Sequence, residues 1–236
     1  MRRTATRTLA ISLLSLLPSF ITAQRPGLRE VSPWESGPSG GFGMVFGVPR
    51  GAFNRYVASV GGVDGFVTVP LGRSAPLAFR FEGSVLFHGG GSFYDKSSGL
   101  SLSTQSYITS LRVGPQLMLG AGPVRVYGLA TAGFSWFATR VSFDGGGCGC
   151  SGYGDGRPLL DDVTGTWESG GGVQIAVGRR GQVLLDLGAR YQHNAPVSYL
   201  NDASVTSDGN GGFVVQPIHS AVNLVTYHLG ITLAMR

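Results

Sequence analysis

Seven ionisable side chains recur on the mixed face of strand-like segments, where they could form one buried charge network. A charge that leaves water needs an opposite partner, so arginines and carboxylates that share an interior face are expected to pair. Their balance predicts a polar interior that neutralises itself; a gated pore or a small binding cavity is the alternative use of the same residues. The set comprises Arg80, Arg112, Arg190, Glu82, Glu168, Asp186 and His228.

Cys148 and Cys150, which are separated by one glycine, are the only cysteines of the chain. An oxidising compartment favours disulfides, and the surrounding glycines would let the backbone bend into the tight ring that this bridge needs. An intramolecular disulfide is expected, and free thiols or an intermolecular bridge are the alternatives. Two thiolates with no histidine nearby in sequence are too few for a closed zinc site, so no metal is expected.

The run Arg190-Tyr191-Gln192-His193 is similar to part of the active-site region of lipid A deacylases. That resemblance implies a histidine that activates a serine two positions later, with an acidic residue further along. Here the second position after His193 is Ala195, while Ser198 and Asp202 follow at a different spacing. The sequence therefore predicts a protein that is not an enzyme, with a lipid-modifying barrel as the alternative.

Aspartates are frequent in the predicted loops, and their carboxylates could bind divalent cations. No loop carries a calcium pattern such as D-x-D-x-D-G, so these side chains are expected to stay solvated, and no cofactor is expected. They are Asp144, Asp155, Asp161, Asp162, Asp202 and Asp208.

The elements that must position these residues are β-strands, because apolar side chains recur with period two and no helical period follows residue 40. In 77–88 and 183–193 the odd positions are mostly apolar and the even ones mixed. In 124–140 neither face is cleanly apolar, which allows a bulge. Strands are predicted at 41–49, 58–71, 77–88, 105–119, 124–140, 166–178, 183–193 and 221–235.

The connections alternate strictly between tight turns and longer loops. Tight turns at 72–76, 120–123 and 178–182 would lie at one end, opposite longer loops at 50–57, 89–104, 141–165 and 194–220. Short periplasmic turns opposite longer extracellular loops are typical of outer-membrane barrels and place both termini in the periplasm. The predicted fold is all-β, an eight-stranded antiparallel up-and-down transmembrane β-barrel.

Composition favours lipid as the surroundings of this barrel, with a secreted soluble barrel as the alternative. Charged residues make up 13% of the chain, against about 25% in typical soluble domains. Aromatic residues gather near predicted strand ends, where interfacial girdles lie. They include Phe87, Tyr107, Trp136, Trp167, Tyr191 and Tyr227.

The N-terminus has the pattern of an export signal. Arg2, Arg3 and Arg7 precede a short apolar run, and small residues end it, so we expect a signal peptide at 1–23 and a periplasmic tail at 24–40. A membrane anchor is the alternative, but the run is short and contains Pro18. Without these three arginines the formal charge falls from +5 to +2, so no nucleic-acid partner is expected.

Three segments resemble the small outer-membrane β-barrel domains of the OmpA/OmpX type. They are Gly41-Phe42-Gly43, Gly47-Val48-Pro49-Arg50-Gly51-Ala52-Phe53 and Thr226-Tyr227-His228-Leu229-Gly230-Ile231-Thr232. The resemblance covers 41–236 and implies location in the outer membrane, contact with its lipid and lipopolysaccharide, insertion by the barrel-assembly machinery, and loops open to an extracellular ligand. Such barrels commonly end in an aromatic residue, whereas this chain ends Ala234-Met235-Arg236.

Overall fold

The computed structural model describes residues 37–72, 76–95, 100–120, 122–145, 160–177, 182–200, 204–207 and 213–234. The expected signal peptide, the tail up to residue 36, and Cys148 and Cys150 lie outside these residues.

Eight strands close into one barrel in which every neighbouring pair runs antiparallel. A short hairpin of two further strands, β8 and β9, lies in the connection that follows β7, and a 3-10 turn at Phe53–Arg55 follows β1. The predicted all-β, up-and-down architecture is confirmed. The strands are β1 (Ser39–Arg50), β2 (Val60–Pro70), β3 (Leu77–Asp95), β4 (Leu100–Leu119), β5 (Val124–Gly145), β6 (Leu160–Val177), β7 (Val183–Tyr199), β8 (Val205–Ser207), β9 (Phe213–Val215) and β10 (Ile218–Ala234).

The apolar faces of the strands point outward and the polar faces point into the lumen, the interior of the barrel. On the outer wall Met44 is 72% exposed and Leu229 is 53% exposed, whereas Arg80 and Asp186 inside are fully buried. A soluble barrel has the opposite distribution, because water would penalise an apolar outer wall. The chain is therefore a transmembrane β-barrel whose outer wall faces lipid.

None of the described residues forms a helix of the length and apolar character that crossing a bilayer requires.

The barrel has two unlike ends. The turn end carries the connections from β2 to β3, β4 to β5 and β6 to β7, together with the first residue of β1 and the last residue of β10. The loop end carries the other connections. A transmembrane strand needs about 9–11 residues, whereas β3, β4 and β5 have 19, 20 and 22 residues. These three strands therefore extend well beyond the lipid at the loop end.

The predicted long loop at 89–104 is wrong, because most of it is paired strand. β3 and β4 remain in register from Gly90↔Gln105 to Asp95↔Leu100, after a shift between Phe87 and Gly90. Gly89 has a φ of 68° at this shift, a left-handed conformation that glycine adopts without strain. The connection between β3 (ending at Asp95) and β4 (beginning at Leu100) is therefore short, and the strict alternation of tight and long connections fails at this hairpin.

The bulge considered for the fifth strand is absent, because β5 pairs with both neighbours without a register shift. The two faces of β5 are hard to distinguish in the sequence because Tyr127, Leu129 and Phe137 are buried on the inward face among polar residues. A second irregularity lies instead in β10, between Ser220 and Val222 opposite β7.

We expect a charge on the outer wall to be costly only within the lipid. Val113→Arg on β4 should lower the free energy of unfolding by about 2–4 kcal/mol, since lipid solvates a guanidinium poorly. Asp161→Arg, at an exposed position of the loop end, should change it by less than about 1 kcal/mol. Urea unfolding in lipid vesicles measures both variants, and equal costs would contradict the lipid-facing assignment of the wall.

Candidate functional site

Glu82 lies at the centre of the lumen, where three arginines from three strands converge on its carboxylate. Oε2 accepts a hydrogen bond from Arg80 Nε at 2.6 Å. Oε1 accepts from Arg112 Nη2 at 2.7 Å and from Arg190 Nη1 at 2.8 Å. β3, β4 and β7 are not all adjacent in the sheet, so this one side chain connects opposite walls of the barrel.

Two further carboxylates extend these contacts around the lumen. Glu168 on β6 lies 3.2 Å from Arg112 and 3.3 Å from Arg190. Asp64 on β2 lies 3.3 Å from Arg190 and 2.9 Å from His228 Nδ1. Arg112 and Arg190 therefore each contact more than one carboxylate. Their contacts link five strands, and His228 on β10 adds a sixth.

Asp186 on β7 forms the turn-end side of the network mainly through neutral donors. Its carboxylate accepts hydrogen bonds from the Tyr127 hydroxyl at 2.7 Å and from Gln174 Nε2 at 2.9 Å. Tyr127 fits because glycines lie beside it on the two nearest strands in that direction, β6 and β7. A methyl group built on Gly172 would lie 2.6 Å from the tyrosine oxygen, and one on Gly188 would lie 2.8 Å from it.

The structure brings all seven residues that the sequence singled out into this one layer, and adds Asp64. We call these eight the charge network. Asp64 was overlooked although it is the one charged residue of β2, and its even position shares a face with buried Phe66 and Thr68. Arg125, at the turn end, is a further buried cation and lies in the strand predicted at 124–140. Among the described residues four arginines and four carboxylates are buried.

Little open space remains inside the charge network. The gap bordered by Glu82, Glu168, Arg190 and His228 measures about 10 Å³, and roughly 10–15 Å³ is needed to hold one water molecule. The interior of an eight-stranded barrel is just wide enough to be filled by side chains. The lumen is therefore closed at this level.

A second closure lies nearer the loop end, where the segment after β1 folds back into the barrel mouth. Phe53 is fully buried, and its ring packs edge-on against His88 at 5.4 Å and against Tyr199 at 5.2 Å. The amide N–H of Val57 donates to the Phe53 carbonyl at 3.0 Å, which keeps this segment compact. We call the packed group Phe53, Val57, Phe137, Val197 and Tyr199 the apolar lid.

Sequence reasoning missed the apolar lid because it depends on two departures from regular strand geometry. Phe53 lies in a segment predicted as a loop, and nothing in its spacing shows that it folds inward. On β7 the buried positions change from even at Asn194 to odd at Val197 and Tyr199, next to Pro196 and the register shift with β10. A strict period-two pattern would have placed Val197 and Tyr199 outside.

The deacylase-like run does not assemble a catalytic triad in the described residues. His193 lies on the outer wall, where its Nδ1 contacts Asn223 Oδ1 at 2.6 Å rather than a serine. Ser198 Oγ lies 3.2 Å from Nδ1 of a different histidine, His219. Asp162 accepts the backbone N–H of Ser198 at 2.8 Å, and its carboxylate also interacts with the Ser198 hydroxyl and with His219, so these contacts do not involve His193.

Metal ligands are likewise not gathered in the part of the chain that the structure describes, where no group of three or more His, Cys, Asp or Glu could hold an ion.

Solved structures of small outer-membrane barrels are similar to this chain. Ail, the attachment invasion locus protein of Yersinia pestis, is 14% identical over 85% of this chain and 99% of its own, with a TM-score of 0.46. Neisserial surface protein A is 15% identical over 85% and 98%, with a TM-score of 0.43. OprG from Pseudomonas aeruginosa is 12% identical over 86% and 97%, with a TM-score of 0.43.

The chain has the fold of a closed eight-stranded antiparallel transmembrane β-barrel. No family model and no curated protein sequence matches it. The likeness concerns architecture, and the closed eight-stranded sheet with its apolar outer wall carries the assignment.

Removing the central carboxylate should destabilise the barrel. Glu82→Gln leaves Arg80, Arg112 and Arg190 with one negative charge fewer, and breaking a buried ion pair costs about 3–5 kcal/mol. Adding Arg80→Met restores the charge balance and should recover part of that loss. Urea unfolding in vesicles measures all three proteins, and a Glu82→Gln variant as stable as the parent would contradict a network centred on Glu82.

Asp162 should titrate below the usual range of an aspartate. It lies beyond the lipid-facing wall, and the Ser198 backbone N–H, followed by that of Val163 at 2.8 Å, lowers its pKa by favouring the carboxylate. At pH values above the ordinary aspartate pKa these hydrogen bonds stabilise the loop end. They are lost as the pH falls through the lowered pKa of Asp162. NMR should show the Ser198 and Val163 amide shifts titrating together at that lowered midpoint, and the step should vanish in Asp162→Asn. A midpoint at or above the ordinary aspartate value would contradict this.

Proposed function

We propose that this protein is a non-enzymatic barrel of the Gram-negative outer membrane that stabilises the envelope and makes surface contacts through its loop end. Its mature chain would begin at Gln24, and both ends of the barrel would lie in the periplasm. The periplasmic tail is the one predicted at 24–40, of which residues 39 and 40 already belong to β1. Its partners would be outer-membrane lipid and lipopolysaccharide, the barrel-assembly machinery during insertion, and an extracellular ligand at the loops. The observation that carries this proposal is the double closure of the lumen.

The double closure supports a role outside the barrel rather than through it. The charge network occupies the middle of the lumen, and the apolar lid fills the mouth beyond it. A solute would have to break several buried ion pairs and displace Phe53 in order to pass. A conducting or substrate-binding lumen would instead need open space, which wider barrels possess.

The unlike ends support the orientation. Short connections face the periplasm in bacterial outer-membrane barrels, and longer segments face the exterior. The extensions of β3, β4 and β5 beyond the lipid would then stand on the cell surface, where the chain can meet other molecules. The turn end, with its three tight connections, offers little such surface.

The alternative of a lipid-modifying enzyme has less support, because His193, the histidine of the deacylase-like run, contacts the Asn223 amide rather than a serine. Comparing lipid A from cells with and without the gene distinguishes the two functions. An acyl pattern that changes with the gene would overturn the non-enzymatic proposal.

We expect the purified protein to insert into planar bilayers without conducting. The wild-type barrel should give no current steps above background, because both closures block ions. A variant that truncates both, Phe53→Ala with Glu82→Ala and Arg190→Ala, should admit water and give small steps if it folds. Heat-modifiable gel mobility reports folding of each sample. Steps in the folded wild type would favour the narrow channel, and recovery of the protein in soluble fractions would refute the membrane location.

A further inference from the structure

A row of polar and aromatic side chains crosses the outer wall near the loop end. Trp167 on β6 pairs with His193 on β7, His193 pairs with Asn223 on β10, and Asn223 pairs with Arg50 on β1. We call these four residues the headgroup row. Adjacent strands lie about 4.8 Å apart, so the row spans roughly 14 Å of the wall.

The members of the headgroup row face outward, in line with residues that clearly face lipid. Phe46 lies four positions before Arg50 on β1, and Tyr227 lies four positions after Asn223 on β10; both are about half exposed on the same faces. Toward the turn end these faces stay apolar. The row therefore marks the level at which the lipid-facing wall changes from apolar to polar.

The contacts within the headgroup row fix its geometry before any ligand arrives. His193 Nδ1 lies 2.6 Å from Asn223 Oδ1, so the amide orients the imidazole. The Trp167 ring lies 5.6 Å from the His193 ring and 5.6 Å from the Tyr191 ring, and it remains 45% exposed. No described contact engages His193 Nε2, which remains available as a further hydrogen-bonding atom.

The charge of the headgroup row favours an anion. Arg50 is an exposed, permanent cation, and none of the four members carries a carboxylate. A guanidinium binds phosphate through two parallel hydrogen bonds, which a lysine cannot reproduce. At the edge of the hydrocarbon the anions within reach of an outward-facing side chain are those of lipid headgroups, while tryptophan prefers this same interfacial level.

We propose that the headgroup row binds a phosphate of a glycolipid in the outer leaflet, with Arg50 contacting the phosphate. His193 and Asn223 hydrogen-bond the adjoining polar groups, and Trp167 packs at the boundary between headgroup and acyl chains. This inference rests on the proposed function, because the loop end must face the leaflet that contains the glycolipid. It goes further by naming the site and the chemistry of its ligand.

Native mass spectrometry of the delipidated barrel tests this site by titration with three lipids: phosphorylated lipid A, enzymatically dephosphorylated lipid A and phosphatidylglycerol. The phosphorylated glycolipid should bind best. Arg50→Gln should weaken its binding about tenfold, the effect expected for losing a charge-assisted hydrogen bond. The matched control is Arg140→Gln, which removes an exposed arginine over the Tyr107 ring, on another part of the wall, and should leave binding unchanged.

A second variant separates the site from general electrostatics. Asn223→Leu keeps every charge but removes the partner of His193, and it should weaken binding of phosphorylated lipid A while heat-modifiable mobility stays normal. Equal binding of the dephosphorylated lipid or of phosphatidylglycerol, or equal losses in Arg50→Gln and Arg140→Gln, would overturn the site. A second copy of the chain bound in place of lipid would overturn it as well. Each of these results leaves the membrane location intact, whereas a soluble protein would refute the proposed function itself.

Discussion

The contact between Glu82 and its three arginines is the interaction on which the rest of the barrel depends. A closed sheet in lipid places one face of every strand in hydrocarbon and the other in a space too narrow for bulk water. Polar side chains on the inner face must therefore satisfy each other. Glu82 does so for arginines on its own strand, on the neighbouring strand and on the far wall, so the network resists changes in the cross-section of the barrel.

This constraint explains why the lumen is filled in layers. The ionic layer needs close packing, because an uncompensated charge in the interior costs far more than a cavity in an apolar core. Tyr127 completes the ionic layer by donating a hydrogen bond to Asp186. Its ring occupies space that neighbouring glycines, which have no side chain, leave free. The apolar lid then separates the charges from the solvent at the loop end. Phe53 can do this only because the segment after β1 turns back into the mouth.

The faces of the strands could be predicted from sequence far better than their lengths. Period-two alternation placed Arg80 and Glu82 on one side and Phe79 and Phe81 on the other, because side-chain direction follows directly from backbone geometry. The extent of β3 and β4 depended on pairing between two glycine- and serine-rich segments, a tertiary effect that single-residue preferences do not capture. Asp64 was within reach of the same reasoning, since a lone charge in a transmembrane strand belongs inside. The position of Phe53 could not be predicted by this reasoning, because its burial follows from a fold-back of the chain that leaves no periodic signal.

A closed lumen transfers any specific recognition to the two surfaces that remain, the outer wall and the loop end. On the outer wall an apolar surface gives insertion without selectivity, because every lipid chain contacts it equally well. Selectivity requires polar groups at a defined depth, and these are least costly where the hydrocarbon meets the headgroups. His193 and Asn223 satisfy each other there at 2.6 Å, so the pair is tolerated without a ligand while the neighbouring Arg50 keeps its charge exposed. The same physics that forces pairing inside the barrel thus makes an exposed cation inexpensive at this boundary, which is where a lipid phosphate would meet it.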